Sequence, residues 1–88
     1  MKCQINVTKQ DIEISRDQLK DGKSRAFHCP VAKAAKRRFK AREAAVTGFF
    51  VYIKKHQYEL PQSARDFIRN FDEGHDVKPI RFYVESGE

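Results

Sequence analysis

Gly48-Phe49-Phe50-Val51-Tyr52-Ile53-Lys54-Lys55-His56-Gln57-Tyr58-Glu59-Leu60 is the stretch that decides the fold class. Gly48 interrupts what precedes it, and Phe49 to Ile53 is an aromatic and β-branched run of the kind that forms a buried strand. Lys54-Lys55-His56-Gln57 reads as a polar turn, after which Tyr58-Glu59-Leu60 returns as a second strand. Strands joined by so short a connection must run antiparallel, because a parallel pair needs a long crossover.

Downstream of the hairpin, Pro61 sits where a helix begins. Ala64, Phe67, Ile68 and Phe71 then fall at i, i+3, i+4 and i+7, the most pronounced amphipathic pattern in the chain. Gly74 ends that helix. After Pro79, the apolar residues Ile80, Phe82 and Val84 alternate with Arg81 and Tyr83, as in a half-buried strand. Glu85 to Glu88 reads as a frayed tail.

Upstream, Cys29-Pro30 opens a helix, since proline suits the first helical position, where its missing N–H costs nothing. Val31 to Ala45 is rich in Ala, Lys, Arg and Glu, with Val31, Ala35 and Phe39 on one stripe, and the helix stops between Phe39 and Ala45. Gln4 to Val7 and Asp11 to Ile14 each alternate, but with opposite parity. They read as two short strands, or one kinked strand, broken at Thr8-Lys9-Gln10. Ser15 is placed to cap a short helix, Arg16 to Asp21, in a capping box with Gln18 that closes at Gly22. Lys23 to His28 reads as a polar loop. The whole predicts an α+β domain over residues 1–88: a small, largely antiparallel sheet with two to three helices on one face.

At 88 residues the chain is long enough for one thin-cored domain. No apolar stretch approaches the roughly 18 residues of a membrane span, and the N-terminal residues lack the apolar run of a signal peptide. The expected setting is therefore cytoplasmic, away from membranes, with Cys3 and Cys29 reduced. A formal net charge of +6 fits nucleic acid, nucleotides or an acidic protein surface without choosing among them.

Ile14-Ser15-x-x-x-Leu19-x-x-Gly22 followed by Cys29-Pro30-Val31-Ala32-x-Ala34 resembles the start of a group of short uncharacterised bacteriophage proteins. Leu60-Pro61-x-x-Ala64-x-x-Phe67-Ile68-x-x-Phe71-Asp72-x-Gly74, then Pro79-Ile80-x-Phe82, is similar to their C-terminal half. The resemblance runs from about residue 11 to about residue 85. Met1 to Gln10 stands as an N-terminal extension relative to that group, and the central helix is unusually basic. The resemblance implies a phage or prophage origin and a compact α+β fold and brings no assigned activity with it. By analogy with small phage proteins of this size, the expected role is that of a non-enzymatic accessory or anti-defence factor in the host cell.

Three groups of residues could carry chemistry. The first surrounds the helix start at Cys29-Pro30, where free N–H groups and the positive end of the helix dipole form an anion site. Arg25 and His28 precede it, and Lys33 lies in its first turn, against the dipole, so a bound anion there relieves a cost. The competing reading is that Cys29 caps the helix and packs inward while Lys33 points to water. The second group is the basic run Lys33, Lys36, Arg37, Arg38, Lys40 and Arg42, with Lys54 and Lys55 nearby, suited to phosphates or merely to solvation. The third is the aromatic set Tyr52, Tyr58 and Tyr83, of which Tyr52 and Tyr58 are the candidates for stacking on a base.

No nucleophile–base–orienter set, phosphate-loop glycine pattern, paired carboxylates or zinc-ligand spacing is present in the sequence. The expectation is a protein without catalytic activity, metal or cofactor. Arg25, His28, Lys33, Lys36, Arg37 and Lys40 would hold phosphate, and Tyr52 or Tyr58 the base, of a sequestered nucleotide-type ligand, with a homo-oligomer enclosing the pocket. Two alternatives stand beside this: nucleic-acid binding through the basic surface, and direct inhibition of a host defence protein.

Overall fold

The computed structural model describes residues 2–85. The elements in chain order are β1 (Lys2–Val7), α1 (Lys9–Lys20), α2 (Arg25–His28), α3 (Pro30–Phe39), β2 (Ala45–Val46), β3 (Phe50–Ile53), β4 (His56–Glu59), α4 (Gln62–Asp72) and β5 (Ile80–Glu85). This is the small α+β fold that the sequence predicts. Its antiparallel strands form two sheets rather than one: β1 with β5, and β2-β3-β4. β4 lies alongside β5 without a hydrogen-bonded ladder between them.

The first and last strands pair with each other in the first sheet. Cys3 pairs with Val84, Ile5 with Phe82 and Val7 with Ile80, so the inward rows of both strands are apolar. Outward, Gln4 faces Tyr83, and its side-chain amide donates to the Tyr83 hydroxyl at 3.1 Å. α3 packs on β1 and reaches β3 through a face of Val31, Ala32, Ala34 and Ala35, all buried. Three of those four are alanines, whose small side chains let helix and strand backbones approach closely. α4 buries Ala64, Phe67, Ile68 and Phe71, the four residues its periodicity singles out, and Gly74 follows it at φ 84.

The N-terminal third corrects the sequence reading. Thr8-Lys9-Gln10 is not a break between strands but the start of a helix, and Asp11 to Ile14 is helical. Thr8 closes a capping box: its hydroxyl accepts from the Asp11 amide at 3.1 Å, and its own amide donates to Asp11 Oδ2 at 2.9 Å. Ile12, Ser15 and Leu19, at i, i+3 and i+7, face inward, while Ile14 is 41% exposed. The alternation of Ile12 and Ile14 is thus a local coincidence within a helical face. Ser15 caps nothing. It lies in mid-helix, fully buried, and its hydroxyl has no hydrogen-bond partner among the described residues. The loop expected at Lys23 to His28 contains the single turn α2.

α3 ends at Phe39. Lys40 adopts the left-handed conformation, φ 54 and ψ 41, and its amide donates to the Lys36 carbonyl. The hairpin turn is two residues long, not four. Lys54 and Lys55 both have positive φ, 50 and 70, as a type I′ turn requires. That turn sets the register: Val51 faces Tyr58 on the inner side and Tyr52 faces Gln57 on the outer side.

Candidate functional site

The residues around the start of α3 are largely used by the fold itself. Cys29 is 3% exposed and caps its own helix, its Sγ accepting from the Ala32 amide at 3.3 Å. Burial outweighs the helix start and pushes the Cys29 thiol up to about 11, so it stays protonated at neutral pH. Lys33 donates to the Gln18 side-chain oxygen and, at 3.5 Å, to the His28 carbonyl. Partial burial and then the charge of Lys36 lower its pKa. His28 is likewise lowered, by desolvation first and then by Lys33, Lys23 and Lys36. His28, Lys33 and Lys36 therefore share one electropositive neighbourhood. The side chain of Arg25 lies outside the described residues.

Arg37 is committed elsewhere. Its guanidinium donates to both carboxylate oxygens of Asp11, at 3.0 and 2.8 Å, and to the Asn6 carbonyl at 2.9 Å. It ties α3 to the start of α1 and the end of β1. Tyr58 is also withdrawn: it is 8% exposed and stacks on Phe39, with ring centroids 5.2 Å apart and 24° between planes. This corrects its assignment as a base platform, because a ring already covered on a face inside the core cannot receive a base.

Lys40 and Tyr52, by contrast, line the same open cleft, of about 700 Å³. α2 contributes Phe27, the α3–β2 connection contributes Lys40, Ala41, Arg42 and Glu43, and the second sheet contributes Ala45, Tyr52 and the Lys54-Lys55 turn. Phe27 is 46% and Tyr52 40% exposed, so two large rings offer a face to solvent within one cleft. Ala45 is the residue directly across from Tyr52, so the partner strand sets only a methyl group beside the ring, while the Phe50 ring lies 6.2 Å away, tilted by 49°. Among the described residues, the side chains of Lys40, Arg42, Lys54 and Lys55 make no ion pair or hydrogen bond. Glu43, the lone carboxylate of the cleft, makes none either.

The backbone sets this cleft apart as well. Lys40, Lys54 and Lys55 are the non-glycine residues with positive φ among those described, and all three line it. For an L-residue the left-handed region costs roughly 1 kcal/mol or more, which is why glycine or asparagine usually occupies such positions. Strain of this kind concentrates where a site needs its side chains. Of the cleft, the sequence reading names Lys40 and Tyr52 as binders and places Arg42, Lys54 and Lys55 in the basic surroundings. It misses Phe27 and Glu43. The available signal for Phe27 was an aromatic residue inside an otherwise polar segment.

Among the described residues, no helix is long and apolar enough to cross a membrane, and no three His, Cys, Asp or Glu side chains gather as a metal site. Comparison with known proteins finds no matching family model, curated protein or solved structure.

Proposed function

We propose that this chain binds single-stranded nucleic acid along the cleft between α2 and the second sheet. The observation that carries the reading is the conjunction of two solvent-facing rings, Phe27 and Tyr52, with four unpaired cations, Lys40, Arg42, Lys54 and Lys55, in one cleft. Single-strand binders combine these parts: cations track the phosphates, and aromatic faces receive bases that duplex pairing would hide. The left-handed lysines supply a reason for the strain, since a glycine there would fit the backbone and lose the charge.

An enclosed pocket that sequesters a free nucleotide has less support. Ligand pockets bury most of their ligand, whereas this cleft is open to solvent. Two of the cations expected to hold phosphate, Lys33 and Arg37, have partners within the chain. In the phage setting implied by the resemblance, the role is that of an accessory protein acting on exposed strands.

The test is fluorescence anisotropy with labelled oligonucleotides of about eight residues, within the usual footprint of small single-strand binders. Single strands should bind more tightly than the same sequence as duplex. With four phosphates neutralised, log K should fall with log salt at a slope of about −3. Absence of binding at 50 mM salt by folded protein would sink the reading.

A further inference from the structure

We propose that Glu43 makes the cleft prefer guanine, by accepting two hydrogen bonds from the Watson–Crick edge of a base stacked on Tyr52. The inference rests on the single-strand reading above and adds a base identity to it. A carboxylate in a phosphate-binding cleft works against affinity, because it repels the backbone that the neighbouring cations attract. Glu43 is exposed and unpaired despite lining the same cleft as four cations, so it is not there to neutralise one of them.

Position fits a reading role. Tyr52 is 40% exposed and has only the small Ala45 directly across the ladder. Glu43 is rooted two residues before Ala45, in the connection that leads into β2. Glu43 and Tyr52 line the same cleft, which puts the carboxylate within the space a base stacked on Tyr52 would enter.

An ionised carboxylate only accepts hydrogen bonds, with two oxygens side by side. Guanine alone among the common bases offers two adjacent donors on its pairing edge, N1–H and N2–H. Cytosine and adenine offer one amino group beside an acceptor nitrogen. Thymine and uracil offer N3–H flanked by two carbonyl oxygens, which repel a carboxylate. A charge-assisted, two-pronged contact with guanine is therefore the favoured match, and pyrimidines with two carbonyls are the disfavoured one.

The experiment compares an all-thymine oligonucleotide with one carrying a single central guanine, by anisotropy, for wild type and Glu43→Gln. Because removing a negative charge strengthens binding to every sequence, the affinity ratio between the oligonucleotides is the readout. Wild type should favour the guanine strand about tenfold, the discrimination typical of a good two-pronged base contact. Hypoxanthine in place of guanine, which lacks the N2 amino group, should lose most of that preference. Glu43→Gln should bring the ratio close to one while binding persists. Equal wild-type affinity for both strands, or an unchanged ratio in Glu43→Gln, overturns the base assignment and leaves the cleft reading standing. No binding of either strand overturns both.

Discussion

The guanidinium of Arg37 grips the carboxylate of Asp11 through two hydrogen bonds, at 3.0 and 2.8 Å, across 26 positions of sequence. The same carboxylate closes the capping box of α1 through the Thr8 amide. Burial works against ionising Asp11, but the Arg37 hydrogen bonds, the Thr8 amide and the Arg37 charge outweigh it and hold the pKa below the ordinary 3.8.

A folded-state pKa depressed below the unfolded value contributes stability that is present above about pH 4 and is lost as pH falls through the depressed value. Asp11→Asn should thus be less stable than wild type at neutral pH, with the gap closing in acid. Arg37 is half exposed, which screens its contribution, so Arg37→Ala should cost about 2 kcal/mol at pH 7. Urea denaturation of the three proteins between neutral pH and pH 2 checks both. A gap that stays constant with pH would show that Asp11 is not the group responsible.

Ser15→Ala separates the two readings of the N-terminal third. Loss of an N-cap serine costs about 1 kcal/mol. Ser15 instead lies buried in mid-helix, with no partner for its hydroxyl among the described residues. Alanine there relieves an unsatisfied group and favours the helix, so stability should rise by about 1 kcal/mol. In a domain of this size that is a melting shift of about 4–8 °C upward, read by circular dichroism.

Tyr52 and Tyr58 should separate cleanly. Tyr52→Ala removes an exposed platform and should weaken single-strand binding by about 1–3 kcal/mol with little change in melting temperature. Tyr58→Ala removes a core ring stacked on Phe39 and should cost about 3 kcal/mol or more of stability. Anisotropy and thermal melting on both variants decide it, and equal effects on binding from folded proteins would count against the cleft.

The hairpin turn offers a trade between stability and binding. Replacing Lys54-Lys55 with Asn-Gly puts favoured residues at both positive-φ positions and should stabilise the fold by about 1 kcal/mol. It also removes two of the cleft's cations, so the salt slope of binding should drop by about one and a half. A variant that melts higher yet binds single strands unchanged would remove these lysines from the site.

Where the chemistry is local, the chain's own order of residues was enough. The i, i+3, i+4, i+7 pattern of Ala64, Phe67, Ile68 and Phe71, the alternation of Ile80, Phe82 and Val84, and the Cys29-Pro30 helix start all appear as read. The error at Asp11 to Ile14 came from the shortness of the segment, because two apolar residues fit a period of 2 or part of a helical face equally well. The Thr8-x-x-Asp11 capping box was the signal that could have decided it.

Only the tertiary structure decided which charges and rings are free. The partnership of Arg37 with Asp11 depends on α3 lying across β1 and the start of α1, which no periodicity encodes. The opposite fates of Tyr52 and Tyr58 follow from the antiparallel pairing, in which Tyr58 lies opposite Val51 on the inner face and Tyr52 opposite Gln57 on the outer one. A strand's side chains alternate, so the two rings point to opposite faces with either a two- or a four-residue turn, and the packing of α3 on one face of the sheet decides which ring is buried. Phe27 and Tyr52 come from distant parts of the chain and line one cleft because α2 packs near β2. Composition and periodicity thus determined an α+β domain with a positive surface; the packing of its elements determined which part of that surface is left unpaired.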